Sequence, residues 1–310
     1  LLPNFAKSFV LEIITQEIAL PNTTVQLFIR REDLIHPFVS GNKFRKLKYN
    51  LAQAKQDNQK TVVTFGGAFS NHIAAVAYAA QENELQSIGF IRGEELISKV
   101  NENPTLHFAA QCGMQLEFLS REDYRSKDSE IFTAALRHRL GSFFLLPEGG
   151  TNDLAVKGCE EILTNDDSEF NYICAAVGTG GTISGIINSA APHQKVLGFP
   201  ALKADFLQKD IRKFVKNKNW DLIDNYHFGG YGKVSAQLIQ FINEFYNQTK
   251  IPLDPIYTGK MVFGVIDLIA KNYFPEYSKI LLIHTGGLQG IKGMNAKLKE
   301  KNEPIIKFND

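Results

Sequence analysis

The chain has 310 residues, 44% hydrophobic and 22% charged, with a formal net charge of +1. That is ordinary for a soluble globular protein with room for one large or two ordinary domains, and with no long run of one sign it argues against nucleic acid or an acidic membrane surface as the main partner. No apolar run approaches the ~18 residues that span a bilayer, so no membrane partner is expected.

The three cysteines, Cys112, Cys159 and Cys174, are widely spaced in apolar segments and form no CxxC, which predicts buried free thiols rather than disulfides. The scattered histidines show no metal-ligand spacing, so no metal is expected. The start, Leu1-Leu2-Pro3-Asn4, lacks the basic flank and apolar core of a signal peptide, so the expected location is cytoplasmic.

In chain order, residues 25–30 are β-rich and read as a strand, followed by an acidic loop at Glu32 and Asp33 and a helix over 43–55. Apolar runs at 61–65, 87–91, 115–119 and 143–146 then alternate with helical patterns at 73–81, 105–112 and 130–140. Continuous apolar strands between helices predict parallel βαβ units. The turn-rich stretch Pro147-Glu148-Gly149-Gly150-Thr151-Asn152 reads as a domain crossing. Beyond it come a helix at 154–163, a strand at 172–177, a helix at 183–190, a strand at 195–199, helices at 204–215, 234–246 and 260–271, and a strand at 280–283. The expected fold class is α/β, with open, mostly parallel sheets flanked by helices. In such sheets ligands lie at the carboxyl ends of the strands, in the strand-to-helix turns.

Ser40-Gly41-Asn42-Lys43-Phe44-Arg45-Lys46-Leu47 places Lys43 behind a turn and at a helix start. The macrodipole is positive there, and Arg45, Lys46 and Lys48 share the same turn, so the ammonium form is disfavoured. A neutral lysine is the form that condenses with an aldehyde. Gly66-Gly67-Ala68-Phe69-Ser70-Asn71-His72 follows the strand at 61–65; its glycines admit a close ligand, and Ser70 and Asn71 stand at an N-cap with polar groups to offer. A hydrolase built on Ser70 and His72 is not supported, because the surroundings do not match G-x-S-x-G.

Gly178-Thr179-Gly180-Gly181-Thr182 follows the strand at 172–177 and opens a helix, the make-up of a phosphate cradle. A dinucleotide fingerprint needs glycine where Ile183 stands, and a P-loop needs Gly-Lys-Ser/Thr, so a phosphate monoester fits better than a pyrophosphate. Tyr231 and Tyr257 each lie in a Gly-containing loop ahead of a helix, where a phenol can serve as acid or base or orient a substrate. His284-Thr285-Gly286-Gly287 ends the last strand.

A lysine for an aldehyde, a cradle for a phosphate, a Ser-Asn turn and loop tyrosines together specify pyridoxal phosphate chemistry. With S-G-N-K-x-R-K-L at 40–47, G-G-x-x-S-N-H at 66–72 and Y-x-G-K at 257–260, the chain resembles the fold type II, tryptophan-synthase-β-like pyridoxal phosphate enzymes. Within them it is similar to the 1-aminocyclopropane-1-carboxylate (ACC) deaminase / D-cysteine desulfhydrase family, over nearly the whole length from Arg31-Glu32-Asp33 to Thr285-Gly286-Gly287.

The resemblance implies pyridoxal 5'-phosphate as cofactor, held covalently by Lys43. It makes Ser70 a substrate-facing hydroxyl, puts Asn71 at the ring's O3′, and puts Gly178, Thr179, Gly180, Gly181 and Thr182 on the phosphate. Tyr231 and Tyr257 match the family's active-site tyrosines. It further implies a large domain of residues 1–45 and 156–310, a small inserted domain of residues 46–155 with the cofactor between them, and a homodimer acting on a small amino acid.

ACC deaminases look as though they carry a glutamate after the second tyrosine and a leucine before the late Gly-Gly, whereas D-cysteine desulfhydrases carry small hydroxyl residues. Here those positions, which the resemblance puts at the cofactor ring, are Thr258 and Thr285. A hydroxyl near the ring nitrogen makes a weaker electron sink than a carboxylate, suited to α-proton removal and thiolate expulsion more than to opening a cyclopropane. The expected reaction is therefore α,β-elimination on a D-amino acid such as D-cysteine, with ACC deamination second. Phe69 stands where the family has glutamine, and Ile73-Ala74-Ala75 where it has Thr-Arg-Gln. Two other classes are weighed: a nucleotide-linked oxidoreductase, opposed by Ile183, and a non-catalytic phosphate-ligand binding protein, for which the Phe69 and Ile73 region is the hint.

Overall fold

The computed structural model describes residues 13–203 and 206–308. Among these residues ten strands follow one another as β1 (Thr15–Ile18), β2 (Gln26–Arg30), β3 (Thr61–Gly66), β4 (Gln86–Arg92), β5 (Gln115–Leu119), β6 (Phe144–Leu146), β7 (Tyr172–Val177), β8 (Lys195–Pro200), β9 (Trp220–Leu222) and β10 (Lys279–Ile283). The α-helices are α1 (Asn42–Gln56), α2 (Asn71–Glu82), α3 (Pro104–Gln111), α4 (Arg121–Arg125), α5 (Glu130–Leu140), α6 (Asp153–Cys159), α7 (Gly181–Ser189), α8 (Leu207–Arg212), α9 (Ala236–Thr249), α10 (Thr258–Ala270) and α11 (Gly290–Glu300).

The strands form two sheets, one ordered β1-β2-β10-β7-β8-β9 and one ordered β5-β4-β3-β6. Every pairing is parallel except β1 with β2. Period-2 alternation explains why the central strands are continuously apolar: both faces of each sheet are covered. Along β10, Ile280 and Leu282 pack under α9 and α10 with Ile242, Met261 and Val265, while Leu281 and Ile283 face α7 with Ile183 and Ile186. In the smaller sheet Val62 packs against α1, α2 and α3, whereas Val63 and Phe65 face Tyr124 and Leu136.

The chain crosses between the sheets at α1 and returns through α6. The two helices meet backbone to backbone: a Cβ on Gly158 would lie 1.9 Å from the Arg45 carbonyl oxygen. A Cβ on Gly185 of α7 would come within 2.5 Å of the Cys159 Cβ, so α7 stacks on α6 by the same device.

Several sequence expectations change. The helix expected at 154–163 stops at Cys159 and continues as a 3-10 turn, Glu160–Ile162. The one expected at 204–215 is cut to α8, its first two positions lying outside the described residues. The helix at 234–246 starts after Ser235, whose hydroxyl accepts from the Leu238 amide, and the one at 260–271 starts two residues earlier at Thr258. Strands β1 and β9 and helices α4 and α11 have no counterpart in the sequence reading. β1 and β9 are short edge strands, and α11 carries three lysines among few apolar positions, so none shows a clear period. The three cysteines are buried and free.

Candidate active site

The strand-to-helix turns of both sheets converge on one cleft of about 1320 Å³. Lys43 is the second residue of α1. The turn before it is pressed onto the end of β10: the Asn42 amide donates to the Thr285 carbonyl at 3.2 Å. Gly41 adopts φ +59, and a Cβ there would lie 2.0 Å from the Thr285 oxygen, so only glycine fits. From the other side, buried Glu32 accepts two hydrogen bonds from Arg45, both at 2.9 Å.

Lys43 is half-buried, opening on the cleft, and its ammonium donates to Asn42 Oδ1 at 3.1 Å. Burial, then the charge of Lys46, lowers its pKa to about 7. The sequence reading also invoked Arg45 and Lys48. Both are neutralised, by Glu32 and by Glu161, so desolvation is the larger cause. At pH 7 about half of the Lys43 amine is neutral, against roughly one in 3000 for an ordinary lysine. The rate at which cofactor-free protein captures pyridoxal phosphate is therefore expected to rise with a midpoint near pH 7, followed by visible absorbance. A rise confined to pH above about 9 contradicts this.

At the end of β7, Gly180 takes φ +86 and no side chain caps α7, leaving its first amides for a ligand. Thr182 Oγ1 accepts from Asn42 Nδ2 at 2.8 Å, tying the cradle to the lysine turn. The Thr179 and Thr151 hydroxyls are 2.6 Å apart.

Lys46, one helical turn beyond Lys43, donates to the Gly149 carbonyl at 2.8 Å and to Thr151 Oγ1 at 3.1 Å. A Cβ on Gly181 would stand 3.2 Å from its Nζ, so a buried ammonium backs the cradle. No carboxylate pairs with it among the described residues, and burial lowers its pKa to about 8. A phosphate group is the partner this cation lacks. Sequence reasoning missed Lys46, although its i+3 spacing from Lys43 puts both on one helix face.

Ser70 caps α2, its Oγ accepting from the Ile73 amide at 3.3 Å, and with Asn71 it faces the cleft. Gly287 takes φ +97, and a Cβ there would lie 3.0 Å from Asn71 Nδ2, so this glycine lets the late Gly-Gly turn close on Asn71. Tyr257 lies against the cradle, a Cβ on Gly178 falling 3.1 Å from its ring. It meets Tyr231 edge to face with centroids 6.1 Å apart. Burial, then Tyr231, holds the Tyr257 phenol well above its ordinary pKa, so it is a proton donor and not a resident base. Tyr231 is 52% exposed at the rim.

Of the residues singled out in the sequence, only Gly181 and Thr258 do not line the cleft. Gly181 sits directly behind the loop. Thr258 is fully buried: its hydroxyl donates to Asp254 Oδ1 at 2.8 Å and accepts from the Asp254 amide at 2.9 Å. Those two bonds turn the hydroxyl toward Asp254, whose carboxylate also accepts from the Ile256, Tyr257 and Thr258 amides, and of the two discriminating threonines only Thr285 faces the cleft. The departures also gain a location. Phe69 packs on α11, where a Cβ on Gly293 would meet its ring at 2.4 Å, and Lys297 Nζ lies 4.3 Å from the ring centroid. Ile73 is fully buried under Gly66, in the core.

The family described as "Pyridoxal-phosphate dependent enzyme" matches residues 12–286. The chain belongs to this family. It has the fold of its type II class and depends on pyridoxal phosphate, a group that the unpaired Lys46, the uncapped α7 and the low-pKa Lys43 are fitted to hold.

Among its relatives, the mitochondrial bifunctional D-cysteine desulfhydrase/1-aminocyclopropane-1-carboxylate deaminase of Arabidopsis thaliana is 34% identical, covering 88% of this chain and 74% of that protein. The D-cysteine desulfhydrase of Salmonella typhi is 25% identical over 84% of this chain and 87% of its own. An ACC deaminase homologue of known structure superposes with a TM-score of 0.81 at 27% identity, covering 96% of this chain and 97% of that one. The O-acetylserine-dependent cystathionine β-synthase of Helicobacter pylori shares the fold alone, at 11% identity and a TM-score of 0.68 over 93% of this chain and 96% of that one.

Proposed function

We propose that this enzyme is a lyase that carries out α,β-elimination on a small D-amino acid, D-cysteine above all, giving pyruvate, ammonia and sulfide. The observation that carries the choice is Thr285: the one discriminating position that faces the cleft carries a small hydroxyl, as D-cysteine desulfhydrases do, where ACC deaminases carry a leucine. Relatives named for D-cysteine desulfhydrase and for ACC deaminase support the pair of reactions from which this choice is made.

Bound here, pyridoxal phosphate supplies an aldehyde for an amine and a ring that withdraws electrons from the substrate's α-carbon. Lys43 would hold the aldehyde, the 178–182 loop and Lys46 the phosphate, Asn71 the ring's O3′ and Thr285 the ring nitrogen. With a pKa near 7, Lys43 is matched to take the α-proton at neutral pH. Ser70 would bind the substrate carboxylate, and Tyr257, kept protonated, would donate to the departing sulfur with Tyr231 beside it. The two sheets would act as the domains whose boundaries fall at 45/46 and 155/156, in a homodimer.

The test is turnover of D-cysteine, L-cysteine, D-serine and ACC side by side. D-Cysteine is expected to lead and ACC to trail by at least about tenfold in kcat/KM, which is about 1.4 kcal/mol of transition-state discrimination. ACC consumed readily with D-cysteine untouched defeats the argument from Thr285.

A further inference from the structure

Lys260 is 1% exposed, one of the largest fully buried side chains among the described residues, and no carboxylate pairs with it there. Its Nζ donates to three carbonyls: His227 at 2.9 Å, Gly230 at 2.9 Å and Ala201 at 3.3 Å. It is the third residue of α10, where the macrodipole disfavours a cation. A buried ammonium with neutral partners at a helix start is costly, and a methionine of similar length would fill the same space without that cost.

What the three bonds hold is the loop of Tyr231. From Phe228 to Gly232 the chain takes positive φ at four of five residues: Phe228 at +52, Gly229 at +89, Gly230 at +117 and Gly232 at +68. A Cβ at Gly230 or Gly232 would touch nothing within 4 Å, so this stretch has little packing of its own. Its own hydrogen bonds are local, Gly230 N to His227 O at 3.0 Å and Lys233 N to Gly230 O at 3.2 Å. Phe228 anchors one end against Phe263, with centroids 5.0 Å apart. The other end, next to Tyr231, is drawn inward by Lys260 through Gly230, and the same ammonium reaches Ala201 just past β8. Three residues upstream of Lys260, Tyr257 presents its ring to Tyr231.

We propose that Lys260 is a positioning residue that holds the Tyr231 loop against α10, so that the Tyr231 phenol stays beside Tyr257 at the mouth of the cleft. The inference rests on the reading that Tyr231 takes part in turnover. Neutral acceptors suit the task, since three N–H donors meet three carbonyls and fix the loop in one register.

A double-mutant cycle in the holoenzyme tests it, with Lys260→Met, Tyr231→Phe and the pair. Each single change is expected to lower kcat on the order of 10- to 100-fold with KM changed far less, the range for one misplaced proton-handling group. The double variant is expected to be no slower than the slower single, and the absorbance of the covalently held cofactor to stay as in the parent. Lys260→Gln, whose amide can donate to two of the carbonyls, is expected to recover part of the loss. Effects that multiply in the double variant overturn the inference alone. Parent-like turnover in Tyr231→Phe overturns instead the reading of Tyr231 on which it rests. Should Lys260→Met fail to fold, amide exchange in the Lys260→Gln holoenzyme decides. Faster exchange over 229–233 with 261–270 unchanged supports the inference, and parent-like protection of the loop overturns it.

Discussion

Replacing Lys43 by alanine is expected to lower turnover at least about 10³-fold and to abolish the visible band of the covalently held cofactor, because one side chain is both the attachment point and the proton carrier. Cofactor affinity is expected to fall much less, since the cradle, Lys46 and Thr182 remain in place. The result that would refute the assignment is a Lys43→Ala protein that keeps its colour after dialysis, for then another amine holds the aldehyde. Lys46 is the first to examine, being buried at the same cleft with a pKa of about 8.

The second large effect is one of stability. Gly158→Ala places a methyl 1.9 Å from the Arg45 carbonyl, and a backbone partner cannot rotate out of the way. A loss of about 3 kcal/mol, at the upper end for overpacking, is expected as a drop in the denaturant midpoint. Activity is expected to fall with it, because Arg45 lies two residues from Lys43 and shares its helix. The same substitution at Gly113, which takes φ +80 but faces open space, is expected to cost only the left-handed backbone strain, about 1 kcal/mol. Equal midpoints for the two variants would mean that α1 and α6 can slide apart freely.

The fold was legible wherever burial imposes a period. The interior strands β3, β4, β7, β8 and β10 are covered on both faces and show unbroken apolar runs, and the expected strands at 61–65, 87–91, 172–177, 195–199 and 280–283 fall on them. Edge strand β1, with a single buried residue, carries no such signal. Local chemistry was also legible: a glycine turn before a helix, or a lysine behind a turn, announces itself within a few residues.

What could not be read is whatever depends on partners far apart in the chain. That Arg45 and Lys48 are neutralised follows from Glu32 and Glu161, the latter 113 residues away from Lys48. Thr258 looked like a cleft residue because its neighbour Tyr257 is one, yet Asp254 takes its hydroxyl. Lys260 is next to a recognisable motif, but its meaning lies in carbonyls 30 to 59 positions away.

The double crossing through α1 and α6 has a mechanical meaning. Two connections lying side by side form a hinge with one axis, and any swing of the smaller sheet about it moves parts of the cleft by unequal amounts. Lys43, at the start of α1 and tethered to Thr285 and to Thr182 through Asn42, lies close to that axis and travels least. Ser70 and Asn71 start the helix that follows β3 of the smaller sheet and would move with it, with Phe69 resting on α11 as the contact such a swing must slide or release. The lysine turn and the phosphate cradle are thereby tied to each other and to the end of β10, so they would keep a common register through any such swing.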